Sequence, residues 1–266
     1  MLAGPARSRW WVEIVIVAIF YGLYTLVRDI NGEQPVSFDR ALTNAHRVIS
    51  LERHLGIFHE ASVQGLFLHD WDLMRFWDGF YGTVHFLAVI GVLVYLFLRR
   101  PATYRLWRNT LAATTGLALI GFFFFPLLPP RLLPASYGFD DTLRTIGGLW
   151  DFSSGAVDKV SNQFAAMPSL HTGWSLWCAC ALVPSVRPVW AKWALFVYPA
   201  ATVFCIIITA NHYFADAVGG LVALGAGFGL AVLVTRRADR WRQTRARRLL
   251  AGGAQLARAG GPQHVR

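Results

Sequence analysis

Charge is scarce in this chain. Asp, Glu, Lys and Arg together make up 15% of its 266 residues, against about 25% in an average soluble domain. That scarcity excludes an ordinary water-soluble fold. Cysteine is almost absent. Cys178, Cys180 and Cys205 all lie in apolar stretches, a setting that fits small buried hydrophobes and neither a disulfide framework nor a thiolate metal site. His46, His54, His59 and His69 fall in one connection without metal-ligand spacing, so no metal and no other cofactor is expected. No internal repeat is visible. The first apolar run follows Arg7 and Arg9 in the manner of a secretory signal. Val27-Arg28-Asp29-Ile30 after it offers no small-residue cleavage site, so a retained helix is expected.

What fills the chain is apolar. Hydrophobic residues reach 55% and the mean hydropathy is +0.41. Runs approaching the roughly 17–25 residues that cross a bilayer occupy residues 10–27, 77–98, 106–128, 171–185, 190–210 and 212–234, the fourth being short. The expected fold is therefore an all-α integral membrane protein with six transmembrane helices and an extracytoplasmic interfacial helical segment. Residues 1–236 form one membrane domain, 237–266 a basic tail, and no soluble second domain is expected. The interfacial segment is read from Asp39 to Leu68, where apolar Ala45, Val48, Ile49, Leu51 and Leu55 mix with Arg47, Glu52, Arg53 and Glu60, with a break near Gly56. Trp71 and Trp77 suit an aromatic belt. A second long connection, Pro129 to Ser169, contains Pro129-Pro130-Arg131 and several glycines, and a gap of that length is usually functional or disordered. The last helix is expected to extend to about Leu250, with Ala251-Gly252-Gly253 and Gly260-Gly261-Pro262 reading as disordered.

The formal charge of +10 is unevenly placed. Arg and Lys gather at Arg7 and Arg9, at Arg99, Arg100, Arg105 and Arg108, at Arg187 and Lys192, and in the tail from Arg236. Counted over alternate connections of a six-span chain, all four groups fall on one side, the cytoplasmic side by the positive-inside rule. Nearly all the acids occupy the other connections. Both termini are thus expected in the cytoplasm of a plasma-membrane protein. A solvated tail, or one facing anionic lipid, explains its basic residues without a nucleic-acid partner. Nothing in the pattern sets an oligomeric state.

Two segments carry the chemistry, Met167-Pro168-Ser169-Leu170-His171 and His212-Tyr213-Phe214-Ala215-Asp216. Ionisable groups at the margin of a bilayer are costly and point to function. His212 and Asp216 are four apart, a spacing that on a helix lets a carboxylate hold an imidazole in one tautomer. His171 stands at the mouth of a different helix. Two histidines and an acid can supply a nucleophile, a general acid and an orienting carboxylate for phosphoryl transfer. Arg131 falls on the same side of the predicted topology. Each residue also has a structural reading: Ser169 as a helix N-cap, Arg131 as an interfacial anchor, Asn162 as a cap or turn. His85, with Tyr81 in the second span, either lines a polar pocket or is a core histidine.

Ala166-Met167-Pro168-Ser169-Leu170-His171 and Thr209-Ala210-Asn211-His212-Tyr213-Phe214-Ala215-Asp216 resemble the second and third motifs of the type 2 phosphatidic acid phosphatase superfamily. The Pro-Ser-Leu-His and His-Tyr-Phe-x-Asp forms are closer to its inositol phosphorylceramide synthase-like branch. Tyr104-Arg105-x-Trp107-Arg108 and Leu51-Glu52-Arg53-x-Leu55-Gly56 extend the likeness more weakly. The resemblance implies that His212 is the nucleophile, Asp216 its orienter and His171 the acid that protonates the leaving oxygen. There are departures: Phe124 stands where the first motif has lysine, Leu132 follows Arg131 where proline is usual, and Cys205, Ile206 and Ile207 replace the arginine neighbourhood before the third-motif histidine. Arg131 then becomes the best phosphate ligand, with Lys159 or Arg144 as helpers. By resemblance, the chain is a metal-independent lipid phosphatase or phosphotransferase. It would act on a lipid phosphoester at the extracytoplasmic face through a phosphohistidine. Alternatives are a polyprenyl-diphosphate phosphatase, or a lipid-binding or transport protein that keeps the fold without catalysis.

Overall fold

The computed structural model describes residues 10–32, 35–145 and 166–259. Lys159 and Asn162, with the rest of residues 146–165 in the second long connection, lie outside the described residues. Ten helices are described, with no β-strand among the described residues: α1 (Trp10–Gly32), α2 (Pro35–His54), α3 (Glu60–Gly65), α4 (Trp71–Arg99), α5 (Pro101–Phe124), the short α6 (Thr142–Thr145), α7 (Leu170–Leu182), α8 (Val189–Ala194), α9 (Val197–Ile208) and α10 (Phe214–Ala259). Short 3₁₀ turns occupy Pro130–Leu132, Ala135–Tyr137 and Val183–Ser185.

Local chemistry explains several boundaries. Asp70 caps α4, its carboxylate accepting the Leu73 N–H at 3.0 Å. Pro101 opens α5 at a position where a missing N–H costs nothing. Gly56 takes the left-handed conformation (φ +69°) just past the end of α2 and turns the chain into α3. The break expected near Gly56 is therefore present. The buried face of α2 runs through Ala41, Ala45, Val48, Ile49 and Glu52 at helical spacing. That face packs on Leu127, Leu128, Leu133, Phe139 and Tyr213. Asn44 Nδ2 and Arg40 donate to the Pro126 and Phe124 carbonyls at 2.8 Å, so α2 lies across the chain as it leaves α5.

Among the described residues, three stretches are long and apolar enough to cross a membrane: Trp71–Arg99, Val189–Ile208 and Phe214–Trp241. Three such stretches do not confirm the six expected spans. The fourth falls on α7, whose 13 residues give about 20 Å at 1.5 Å per residue, short of the ~30 Å hydrocarbon layer. The fifth is divided at Leu195 and Phe196 into α8 and α9. The last helix does not stop near Leu250 but continues through Ala251–Gly253 to Ala259.

α10 packs along α5 and α7. Lipid offers no hydrophobic drive for helix association, so close backbone approach at small residues does that work. A Cβ at Gly227 would meet the Thr114 backbone nitrogen at 2.8 Å, and one at Gly220 would collide with the Ser169 carbonyl oxygen. The Ser169 N–H donates to the Asp216 carbonyl at 3.0 Å, joining the starts of α7 and α10. Near the start of α5, Arg108 pairs with Glu13 of α1 at 2.9 Å and Arg105 with Asp239, far along α10, at 3.2 Å. From Asp216 to Asp239 the helix rises roughly 35 Å. The bundle therefore has a basic end and, one bilayer core away, a histidine end.

Candidate active site

The site forms where α9 hands over to α10. Ala210 adopts a positive φ of 50°, and the Asn211 and His212 N–H groups both donate to the Ile206 carbonyl at 3.0 and 3.2 Å. This tight reversal places His212 two residues ahead of α10. Asp216 occupies the third helical position and reaches back, its Oδ2 accepting the Tyr213 N–H at 3.0 Å as the acid of a capping box does. The same oxygen lies 3.3 Å from His212 Nδ1. The expected pair thus forms, but through the helix cap rather than across one helical face. A carboxylate can only accept, so Nδ1 carries the proton and Nε2 keeps its lone pair. That Nε2 is buried and has no hydrogen-bond partner among the described residues. His212 is 3% exposed and Asp216 0%.

His171 is the second residue of α7. Ser169 caps that helix, accepting the Thr172 N–H at 3.4 Å, and is itself buried. Its structural reading holds. The His171 ring centroid lies 5.6 Å from that of His212. Tyr81 stacks on His171 at 4.2 Å and its backbone carbonyl hydrogen-bonds the imidazole. His85 lies 4.3 Å from His171 and is stacked in turn on Trp174 at 4.9 Å. One ring nitrogen of His171 is thereby occupied and the ring is clamped between aromatic neighbours. Tyr81 and His85, both singled out from sequence, are brought to the site; Trp174 is an addition.

Arg131 follows its two prolines into a 3₁₀ turn. Its backbone N–H donates to the Ala210 carbonyl at 2.8 Å and its Nε to Asn211 Oδ1 at 3.0 Å. Nη1 meets both oxygens of Asp141 at 3.2 and 3.0 Å. The guanidinium is thus held beside the residue that precedes His212. Arg144 is exposed on α6 and makes no bond to Arg131, Asn211 or the two histidines among the described residues.

Four polar residues here had no site role in the sequence reading: Asn211, Asp141, Glu52 and Glu60. Glu52 Oε1 accepts the Ala215 N–H at 2.7 Å and Glu60 Oε1 the Phe214 N–H at 3.0 Å. Both carboxyls are 0% exposed. A signal for Glu52 was available, since it continues the apolar stripe of α2 with the spacing of a core residue.

The sequence profile of the PAP2 superfamily matches residues 46–230, a stretch that contains every group placed around His212. Inositol phosphorylceramide synthase catalytic subunit aur1 of Schizosaccharomyces pombe is 30% identical over 155 residues, which is 53% of this chain and 36% of that protein. The chain therefore spans about a third of that relative's length. No solved structure matches it. The profile match over most of the chain, together with the likeness to aur1, shows that the chain belongs to the PAP2 superfamily, on its inositol phosphorylceramide synthase-like side.

Proposed function

We propose that this chain is a membrane phosphatase or phosphotransferase that processes a lipid phosphoester through a phosphohistidine on His212. The observation that carries the reading is the buried Nε2 of His212, without a hydrogen-bond partner among the described residues, opposite an Nδ1 committed to Asp216. Nε2 attacks phosphorus as the bond to the leaving oxygen breaks, and Asp216 balances the positive charge that forms on the ring. His171, hydrogen-bonded through its other nitrogen to the Tyr81 carbonyl, gives its proton to the departing alkoxide. In the second half, His171 takes a proton from water or from an alcohol. The oxygen attacks phosphorus, the P–N bond breaks and His212 is regenerated. Arg131 supplies positive charge at the phosphoryl oxygens, a role that needs no metal.

The separation of the basic and histidine ends of the bundle supports an active site on the extracytoplasmic side, with both termini inside. Family membership and the likeness to aur1 favour a lipid phosphate as substrate. The test is to incubate the purified chain with a panel of radiolabelled phospholipids and polyprenyl phosphates. An acid-labile, alkali-stable phosphoenzyme is expected in wild type and absent in His212→Ala. Turnover without that intermediate overturns the mechanism. The product, free phosphate or transferred headgroup, distinguishes water from alcohol as acceptor.

A further inference from the structure

The first turn of α10 carries Asp216 and follows directly on His212 and Tyr213, yet its N-cap residue, Tyr213, cannot cap it. Its hydroxyl is committed to the Leu128 carbonyl at 3.0 Å. The two amides that follow are taken instead by carboxyls from outside the helix, Glu60 from α3 and Glu52 from α2. Each carboxyl uses only its Oε1 in this way. The Oε2 atoms of both residues are buried and have no hydrogen-bond partner among the described residues. Among the described residues no cation pairs with either: Arg53, next in sequence, lies over the Phe58 and Tyr137 rings at 5.0 and 6.0 Å. The remaining ionisable neighbours are Asp216 and Tyr213, which add no positive charge. Two ionised carboxylates buried together without a counter-ion would carry a heavy desolvation and repulsion penalty. One proton between the two Oε2 atoms removes most of it.

We infer that Glu52 and Glu60 form a carboxyl pair bridged by one shared proton, which clamps the first turn of α10 and so positions Asp216 and His212 for phosphoryl transfer. The catalytic part rests on the function proposed above. Burial, followed by the hydrogen bond with Glu60, pushes the Glu52 carboxyl up to about 9, so Glu52 holds its proton at neutral pH. The single negative charge left faces the positive end of the α10 dipole. Phe214 and Ala215, the residues gripped, separate Tyr213 from Asp216. A slip of this turn therefore moves the carboxylate away from the imidazole it orients. Glu52 and Glu60 touch no reacting atom; they are positioning residues.

Two readouts on the purified full-length chain decide it. The infrared carbonyl stretch of a protonated carboxyl, recorded in D₂O at neutral pH, is expected in wild type and lost in both Glu52→Gln and Glu60→Gln. Persistence of that band in both variants overturns the shared proton, and this readout is independent of any activity. In the kinetic arm, Glu52→Gln keeps an acceptor for the Ala215 N–H and offers a donor to Glu60, so kcat should stay within a few-fold of wild type. Glu52→Ala removes both and should lower kcat roughly ten- to a hundredfold with little change in KM, since small misplacements of catalytic groups cost rate steeply. Equal losses in Gln and Ala, or none in Ala, overturn the positioning role. If wild type turns over none of the phosphoesters, the proposed function fails while the infrared band still decides on the pair.

Discussion

The two histidines differ in what holds them, and that difference sets their expected phenotypes. His212 is tied at Nδ1 to a carboxylate, which raises the nucleophilicity of Nε2, whereas His171 is tied to a neutral carbonyl and clamped among Tyr81 and His85. His212→Ala should abolish turnover with every substrate. His171→Ala should be rescued in part by an aryl phosphate, whose leaving group departs without protonation. Steady-state rates with alkyl and aryl phosphates check this, and equal rescue of both variants would reverse the roles. Arg131 makes a second case. Losing its charge-assisted bond should cost about 1.5–3 kcal/mol, roughly ten- to a hundredfold in kcat/KM. Arg131→Lys should recover little, because only a planar fork can keep Asn211 and Asp141 and still face a phosphate. Near wild-type kinetics in both variants, with unchanged thermal stability, would discard the role. His212 with Asp216 was legible in the sequence because a spacing of four brings the groups together in a capping box as well as on a helix. Asp141 was not legible: it meets Arg131 only because two 3₁₀ turns fold that connection back, and no periodic pattern announces such a pairing.

Between elements, the decisive contact is the start of α7 against α10. Gly220 sits where any Cβ would strike the Ser169 carbonyl and approach Thr172 Cβ at 3.1 Å. Gly220→Ala should push the helices apart, destabilise the fold by roughly 1–3 kcal/mol and lower kcat by separating His171 from His212. Thermal unfolding in detergent beside kinetics measures both; an unchanged Tm would show that the helices yield without cost. The clamp on α10 gives a pH dependence. The Glu52 carboxyl is raised from 4.5 to about 9 on folding, so the folded state holds a proton that the unfolded state has released. Its contribution is complete below about pH 4.5 and is lost progressively as pH rises towards 9. Tm should fall over that window in wild type and fall less in Glu52→Gln; parallel curves would refute it. Element type was widely legible, since long apolar runs in this chain do become helices. Their divisions were less so. Hydropathy registers how apolar a run is, not whether lipid or protein surrounds it. The shortness of α7 and the break between α8 and α9 therefore left little trace.

At the scale of the whole molecule, polarity along the bundle axis is the feature that composition announces and the packing organises. The basic residues that open α5 meet Glu13 of α1 and Asp239 of α10 at one end, whereas Arg131, His171 and His212 gather at the other. The two ends are about one hydrocarbon thickness apart. Arginine is held back by anionic lipid and by the membrane potential, so the basic end should face the cytoplasm and the histidine end the opposite side. Single cysteines report this in a variant lacking Cys178, Cys180 and Cys205. Ser136, exposed in the turn beyond Arg131, and Thr244, exposed on the late part of α10, are suitable sites. In intact cells a membrane-impermeant maleimide should label Ser136→Cys and leave Thr244→Cys untouched until the membrane is permeabilised. The reverse pattern would put the histidines in the cytoplasm and require the substrate headgroup to be presented there. Labelling of both in intact cells would mean that α10 does not cross, leaving its apolar length to be explained by burial within an assembly of chains.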